Sequence, residues 1–79
     1  MSETRDRLAT ALQSMRARRR MTYEALSSSS GVPLRSVQGL LGGERDIPGP
    51  RLDALCKGLG CTVAQILALA ASVDADEMS

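Results

Sequence analysis

Gly31, Val32 and Pro33 break an otherwise helical pattern in YEALSSSSGVPLRSVQGLL, residues 23–41. No other feature constrains the fold of this chain as strongly. Apolar residues recur at helical spacing on both sides of the break. The chain must therefore stop one short helix, bend, and start another at once. Glycine takes the left-handed conformation at a helix end without steric cost, and proline suits a first helical turn, where its missing N–H is not needed. Two short helices joined by a glycine bend form a helix-turn-helix. The expected helices are 2, over 23–30, and 3, over 33–41.

The spacing within the pair is demanding. With Tyr23 as the first position, an apolar residue is needed at the fourth, a small one at the fifth and glycine at the ninth. Apolar residues are needed again at the tenth, fifteenth and eighteenth. The chain supplies Leu26, Ser27, Gly31, Val32, Val37 and Leu40. A small fifth residue lets the helices cross closely, which accounts for Ser27. Ser30, at the eighth position, stands where an apolar contact is expected.

The flanking segments complete an all-α chain with no repeat and no strand pattern. Leu8, Leu12 and Met15 define helix 1 over about 4–19, with Ser2 or Thr4 as its cap. Thr22 caps helix 2, whose inward residues are Ala25 and Leu26. Val37, Leu40 and Leu41 face inward on helix 3, which Gly42 and Gly43 end. Pro50 opens helix 4, about 50–59, with Leu52, Leu55, Cys56 and Leu59 inward and Gly58 to Gly60 as its stop. Thr62 and Gln65 have the form of a capping box for helix 5, which runs to about residue 72 with Val63, Ile66, Leu67 and Ala70 inward. Residues 1–73 read as one domain and 74–79 as an acidic flexible tail.

Seventy-nine residues allow a single modest core. With one Tyr and no Phe or Trp, that core is aliphatic, and stacking platforms for single-stranded nucleic acid are excluded. Two cysteines without histidine argue against a zinc site and place Cys56 and Cys61 as small core residues. With no His base and a lone Lys57, neither catalysis nor a cofactor is expected. No apolar run reaches the length of a membrane span. Without a signal peptide, the expected setting is cytoplasmic.

Charge is unevenly divided. Residues 1–51 hold nine arginines against five acids, a net +4, and residues 52–79 hold one lysine against four acids, a net −3. A basic front and acidic back suit a polyanion on one side. Helix 1 ends in RARRR, residues 16–20. Arginines complement a helix C-terminus, but four exceed that need, and phosphate contact by some is expected.

Four ordered segments, LQSMRARRRMTYEALS (12–27), SGV (30–32), VQGLLGGER (37–45) and LDALCKGLGCTVAQIL (52–67), resemble the phage repressor and Cro-like (XRE-type) family across roughly residues 6–70. The resemblance implies a five-helix, lambda-repressor-like DNA-binding domain in which helices 2 and 3 (motif about 22–42) read DNA. Helix 3 then turns Leu34, Arg35, Gln38 and Gly39 toward base edges. Arginine can pair with guanine and glutamine with adenine in the major groove. Arg16, Arg18, Arg19, Tyr23, Ser36, Arg45 and Arg51 are the phosphate-contact candidates. Many relatives end this helix with a glutamate that pairs with the arginine at position 16. Leu41 stands there instead, which leaves Arg16 freer to meet phosphate.

The function expected is a sequence-specific transcriptional regulator of the phage Cro or repressor kind. It would bind a palindromic operator in the bacterial cytoplasm, at the nucleoid, as a homodimer through helix 5 and the end of helix 4. No membrane and no small-molecule ligand are expected. An antitoxin or a prophage or host regulator with a protein partner is one alternative. A helical protein-interaction module without DNA binding is another.

Overall fold

A computed structural model describes residues 3–78, with side chains described for 6–72. Five helices follow in order: α1 (Glu3–Arg18), α2 (Tyr23–Ser30), α3 (Leu34–Leu41), α4 (Gly49–Leu59) and α5 (Val63–Met78). No strand occurs among the described residues. The long helices α1 and α5 pack on each other, α2 packs on α4, and α3 sits against α2 and α1. The α4 and α5 axes are bent by 95° at their junction. No single helix among the described residues is long and apolar enough to cross a membrane.

Leu12, Leu26, Val37, Leu55 and Ile66 are the buried centre, one from each helix, with Val32 of the turn sealed beside them. Fully burying a side chain of this size contributes about 1.5–3 kcal/mol, so the aliphatic core supplies most of what holds the helices together. Cys56 is buried in it. That burial, and next the neighbouring Cys61, push the Cys56 thiol up to about 12, so it stays protonated and inert as a nucleophile.

The caps form where the sequence puts them. Thr22 accepts the Ala25 N–H at 3.0 Å. Thr62 and Gln65 form the reciprocal box, with Thr62 N–H to Gln65 Oε1 at 2.8 Å and Gln65 N–H to Thr62 Oγ1 at 3.0 Å. Gly31 is left-handed, at φ 76°, and its N–H bonds the Ser27 carbonyl. Pro33 is the residue before α3 rather than its first; its extended backbone leads into the helix and its carbonyl accepts the Val37 N–H at 3.0 Å.

Four expectations are corrected. Leu67 is not inward but 51% exposed. Ile66 and Ala70 are buried and Leu69 half-buried, so the inward stripe runs on the other flank of Ile66. Ala25 is exposed, because α2 sets Tyr23 and Leu26 against the core and leaves Glu24 and Ala25 on its outer face. Gly58 does not end α4; it lies inside the helix, and Gly60, left-handed at φ 76°, ends it. α5 continues to Met78 rather than stopping near residue 72, since no Gly or Pro follows Gly60 to break it. The side chains of Ser2 and Thr4, the expected caps of α1, and those of the acidic segment 74–79 lie outside the described residues.

Candidate nucleic-acid interface

Ser27 and Ser30 lock the turn between α2 and α3. Ser27 Oγ donates to the Val32 carbonyl at 2.6 Å, and Ser30 Oγ accepts the Val32 N–H at 3.2 Å. Both polar groups of a buried residue are thus satisfied by the serines that flank the bend. Ser30 also meets Gly58 of α4. A Cβ placed on Gly58 would lie 2.7 Å from Ser30 Cβ and 3.0 Å from its backbone. A larger eighth residue would force α2 away from α4, which explains a serine where an apolar side chain is expected.

With the turn set, α3 buries Val37, Leu40 and Leu41 and turns Arg35 and Gln38 to solvent. Neither of these two side chains has a hydrogen-bond partner among the described residues. Leu34 and Ser36 flank them, half-buried. A compact outward strip of one cation and one amide, rigid from behind, has the shape and chemistry of a groove-reading helix.

The chain matches the family model of the Cro/C1-type HTH DNA-binding domain over residues 11–72. It belongs to that family. Two crystal structures of the clp gene regulator ClgR from Corynebacterium glutamicum share its fold at 31% identity. One superposes with a TM-score of 0.82, covering 89% of this chain and 91% of that one. The other superposes with a TM-score of 0.86, covering 95% of this chain and 80% of that one. No curated protein matches it at a significant level.

Within this Cro/C1-type domain the arginines at the end of α1 are divided in a way the sequence did not reveal. Arg16 does not reach outward. Its Nε donates to Gln13 Oε1 at 3.1 Å and its Nη1 to the Met21 carbonyl at 2.7 Å, and its guanidinium lies 4.8 Å from the centre of the Tyr23 ring. Gln13 Nε2 in turn donates to the Leu41 carbonyl at 3.1 Å and to the Tyr23 hydroxyl at 2.6 Å. Arg16 is therefore still tied to the end of α3, through a neutral glutamine and a backbone carbonyl in place of an acid. The signal for Gln13 was its spacing of three from Arg16, which puts the two on one helical face.

Arg19 is also engaged, donating to the Leu59 carbonyl at 3.0 Å and the Gly60 carbonyl at 3.3 Å. These are carbonyls at the negative end of α4, so Arg19 caps that helix. Arg18 is exposed and borders the groove that Met15 forms with Gln65, Ala68 and Leu69 of α5. Tyr23 is half-buried, its ring under Arg16, and its hydroxyl accepts from Gln13 but keeps its own proton to donate.

Gly39 is not an open patch for DNA. It is buried, and a Cβ there would lie 3.3 Å from both Arg45 Nη2 and Glu44 Oε2. The loop after α3 folds its charged ends back over this glycine, which brings the Arg45 guanidinium onto the α3 surface. Arg51 is exposed in the first turns of α4.

Proposed function

We propose that this protein is a sequence-specific transcription regulator that lays α3 in the major groove of duplex DNA. Arg35 and Gln38 read base edges, with Leu34 beside them placed to touch a thymine methyl. Tyr23, Ser36, Arg45 and Arg51 contact phosphates, Arg45 from its seat over Gly39. The observation that carries the reading is the pair Arg35 and Gln38, exposed and without a hydrogen-bond partner among the described residues, on a helix whose other side is sealed. The solved neighbours, described as regulators of clp genes, support a regulatory role. DNA is reached in the bacterial cytoplasm, and no catalytic role is proposed.

The DNA-bound form is a homodimer that sets two copies of α3 about 34 Å apart on a palindromic operator. Exposed Leu67, with Arg7, Leu8, Ala70 and Ala71 around it, favours the α5 side for the contact. Single exposed leucines are common, but this one borders an apolar groove.

Selection of bound sequences from random duplex DNA tests the reading. A palindromic consensus is expected; a single unrepeated half-site would remove the dimer. The selected site also separates a phage Cro-like repressor from a host regulator by where it recurs. Arg35→Ala is expected to cost about 1–3 kcal/mol on the selected site and much less on random DNA. Equal losses on both would take Arg35 out of base reading. Indifference of the wild type to every duplex in dilute buffer would sink the reading and favour a protein-interaction module.

A further inference from the structure

Three helices end in the same hydrogen-bonded turn. At α3, the Gly43 N–H bonds the Leu40 carbonyl at 3.3 Å and the Glu44 N–H the Gly39 carbonyl at 3.1 Å. At α4, Gly60 bonds Lys57 at 3.1 Å and Cys61 bonds Cys56 at 2.9 Å. At α1, Arg20 bonds Ala17 at 3.1 Å and Met21 bonds Arg16 at 3.1 Å. Each is a Schellman closure, whose penultimate donor sits in the left-handed region. Gly43 and Gly60 hold that place at φ 76°, where glycine has no Cβ to crowd the carbonyl. Arg20 holds it at φ 54°, and it is the one non-glycine residue with positive φ among those described. A long side chain in this conformation costs stability that glycine would not, so its presence calls for a use of the side chain.

Among the described residues nothing makes such use of it. Arg20 is exposed, and its side chain has no hydrogen bond or ion pair among the described residues. Two neighbours in the run are engaged, Arg16 with Gln13 and Met21 and Arg19 as the cap of α4, while Arg18 is exposed beside the α5 groove on ordinary right-handed helical backbone. The left-handed turn swings Arg20 out at the α1–α2 corner, two residues before Thr22 caps the helix that presents α3.

We propose that Arg20 is a phosphate clamp, a guanidinium held at the α1–α2 corner by a strained backbone to grip the DNA backbone. It rests on the DNA-binding reading above and reassigns to Arg20 the contact that the sequence suggested for Arg16, Arg18 and Arg19. A guanidinium presents a fork of donors that matches two phosphate oxygens, whereas lysine offers a point charge. Such a contact positions the protein and carries no sequence preference.

Arg20→Gly and Arg20→Lys test it, by thermal unfolding and by titration of a fluorescein-labelled random-sequence duplex and of the selected site across a salt series. Arg20→Gly is expected to melt higher than wild type yet bind both duplexes several-fold more weakly. Its slope of log affinity on log salt is expected to be shallower by about 0.9. Arg20→Lys is expected to keep the wild-type slope. A merely structural arginine would move stability and binding in the same direction. Wild-type affinity and slope in Arg20→Gly would overturn the clamp, as would a loss confined to the selected site at unchanged slope. A wild type that binds no duplex removes the DNA-binding reading itself, and that failure is seen before any variant is compared.

Discussion

The two sides of the α2–α3 pair are built to opposite tolerances. Behind it, Gly58 and Ser30 touch so closely that no Cβ fits, and Ser27, Gln13 and Arg16 spend their polar atoms on the carbonyls of Val32 in the turn, Leu41 of α3 and Met21 in the α1–α2 link. In front, Arg35 and Gln38 are exposed and have no hydrogen-bond or ion-pair partner among the described residues. The difference separates two kinds of mutation. On the proposed function, changes behind should alter whether α3 is held in place, and changes in front what it reads.

The largest expected effect therefore lies behind the pair, where α2 meets α4. Gly58→Ala gains about 1 kcal/mol of helix propensity but drives a methyl into the Ser30 backbone, which cannot move without separating α2 from α4. A net loss on the order of 2 kcal/mol is expected in urea unfolding. An unchanged midpoint would show that α2 and α4 tolerate separation and would erase the contrast.

Next comes Gln13→Ala, which leaves the Arg16 Nε and the Leu41 carbonyl without their mutual bridge. About 1–2 kcal/mol of stability should be lost, since both groups are partly shielded from water. A double-mutant cycle with Arg16→Ala should show coupling of at least about 0.5 kcal/mol. Additivity would mean that the neutral bridge does not replace the missing acid. Ser27→Ala should cost a little less, about 1 kcal/mol, through the lost bond to the Val32 carbonyl. If it costs nothing, Ser27 is needed only for its size, as the spacing argument alone would have it.

Local chemistry was legible in the sequence, and long reach was not. Thr22, Gly31 and the Thr62–Gln65 box act within a few residues of themselves, so composition and spacing suffice to place them. The buried side of α3 follows from helical periodicity in the same way. Arg19 finds its carbonyls on Leu59 and Gly60, across three helices of chain, and nothing near residue 19 announces them. Gly58 reads as a helix stop because Gly60 follows it; only the approach of α2 shows its purpose. Leu67 and Leu69 flank the same stripe, and periodicity cannot choose between them without knowing that α5 packs chiefly on α1. Arg20 left a faint signal, an apolar residue and a helix cap directly after a helix with no glycine to end it.

Gly39→Ala should have the smallest effect on stability and sharpens the contrast most finely, because Gly39 lies between the two sides. A methyl there meets Arg45 Nη2 and Glu44 Oε2, each 3.3 Å away, and both are the free ends of flexible side chains. They can give by a few tenths of an ångström, while the helix gains up to about 1 kcal/mol in propensity. The midpoint should stay level or rise slightly. Affinity for DNA should nonetheless fall, since the methyl lifts Arg45 from its seat on the α3 surface; with a phosphate contact loosened, the loss should be equal on selected and random duplexes. A loss on the selected site alone would instead make this surface part of base reading. A lower midpoint would join Gly39 to Gly58 as a position where two backbones need the space, and the division between back and front would then run through α3 itself.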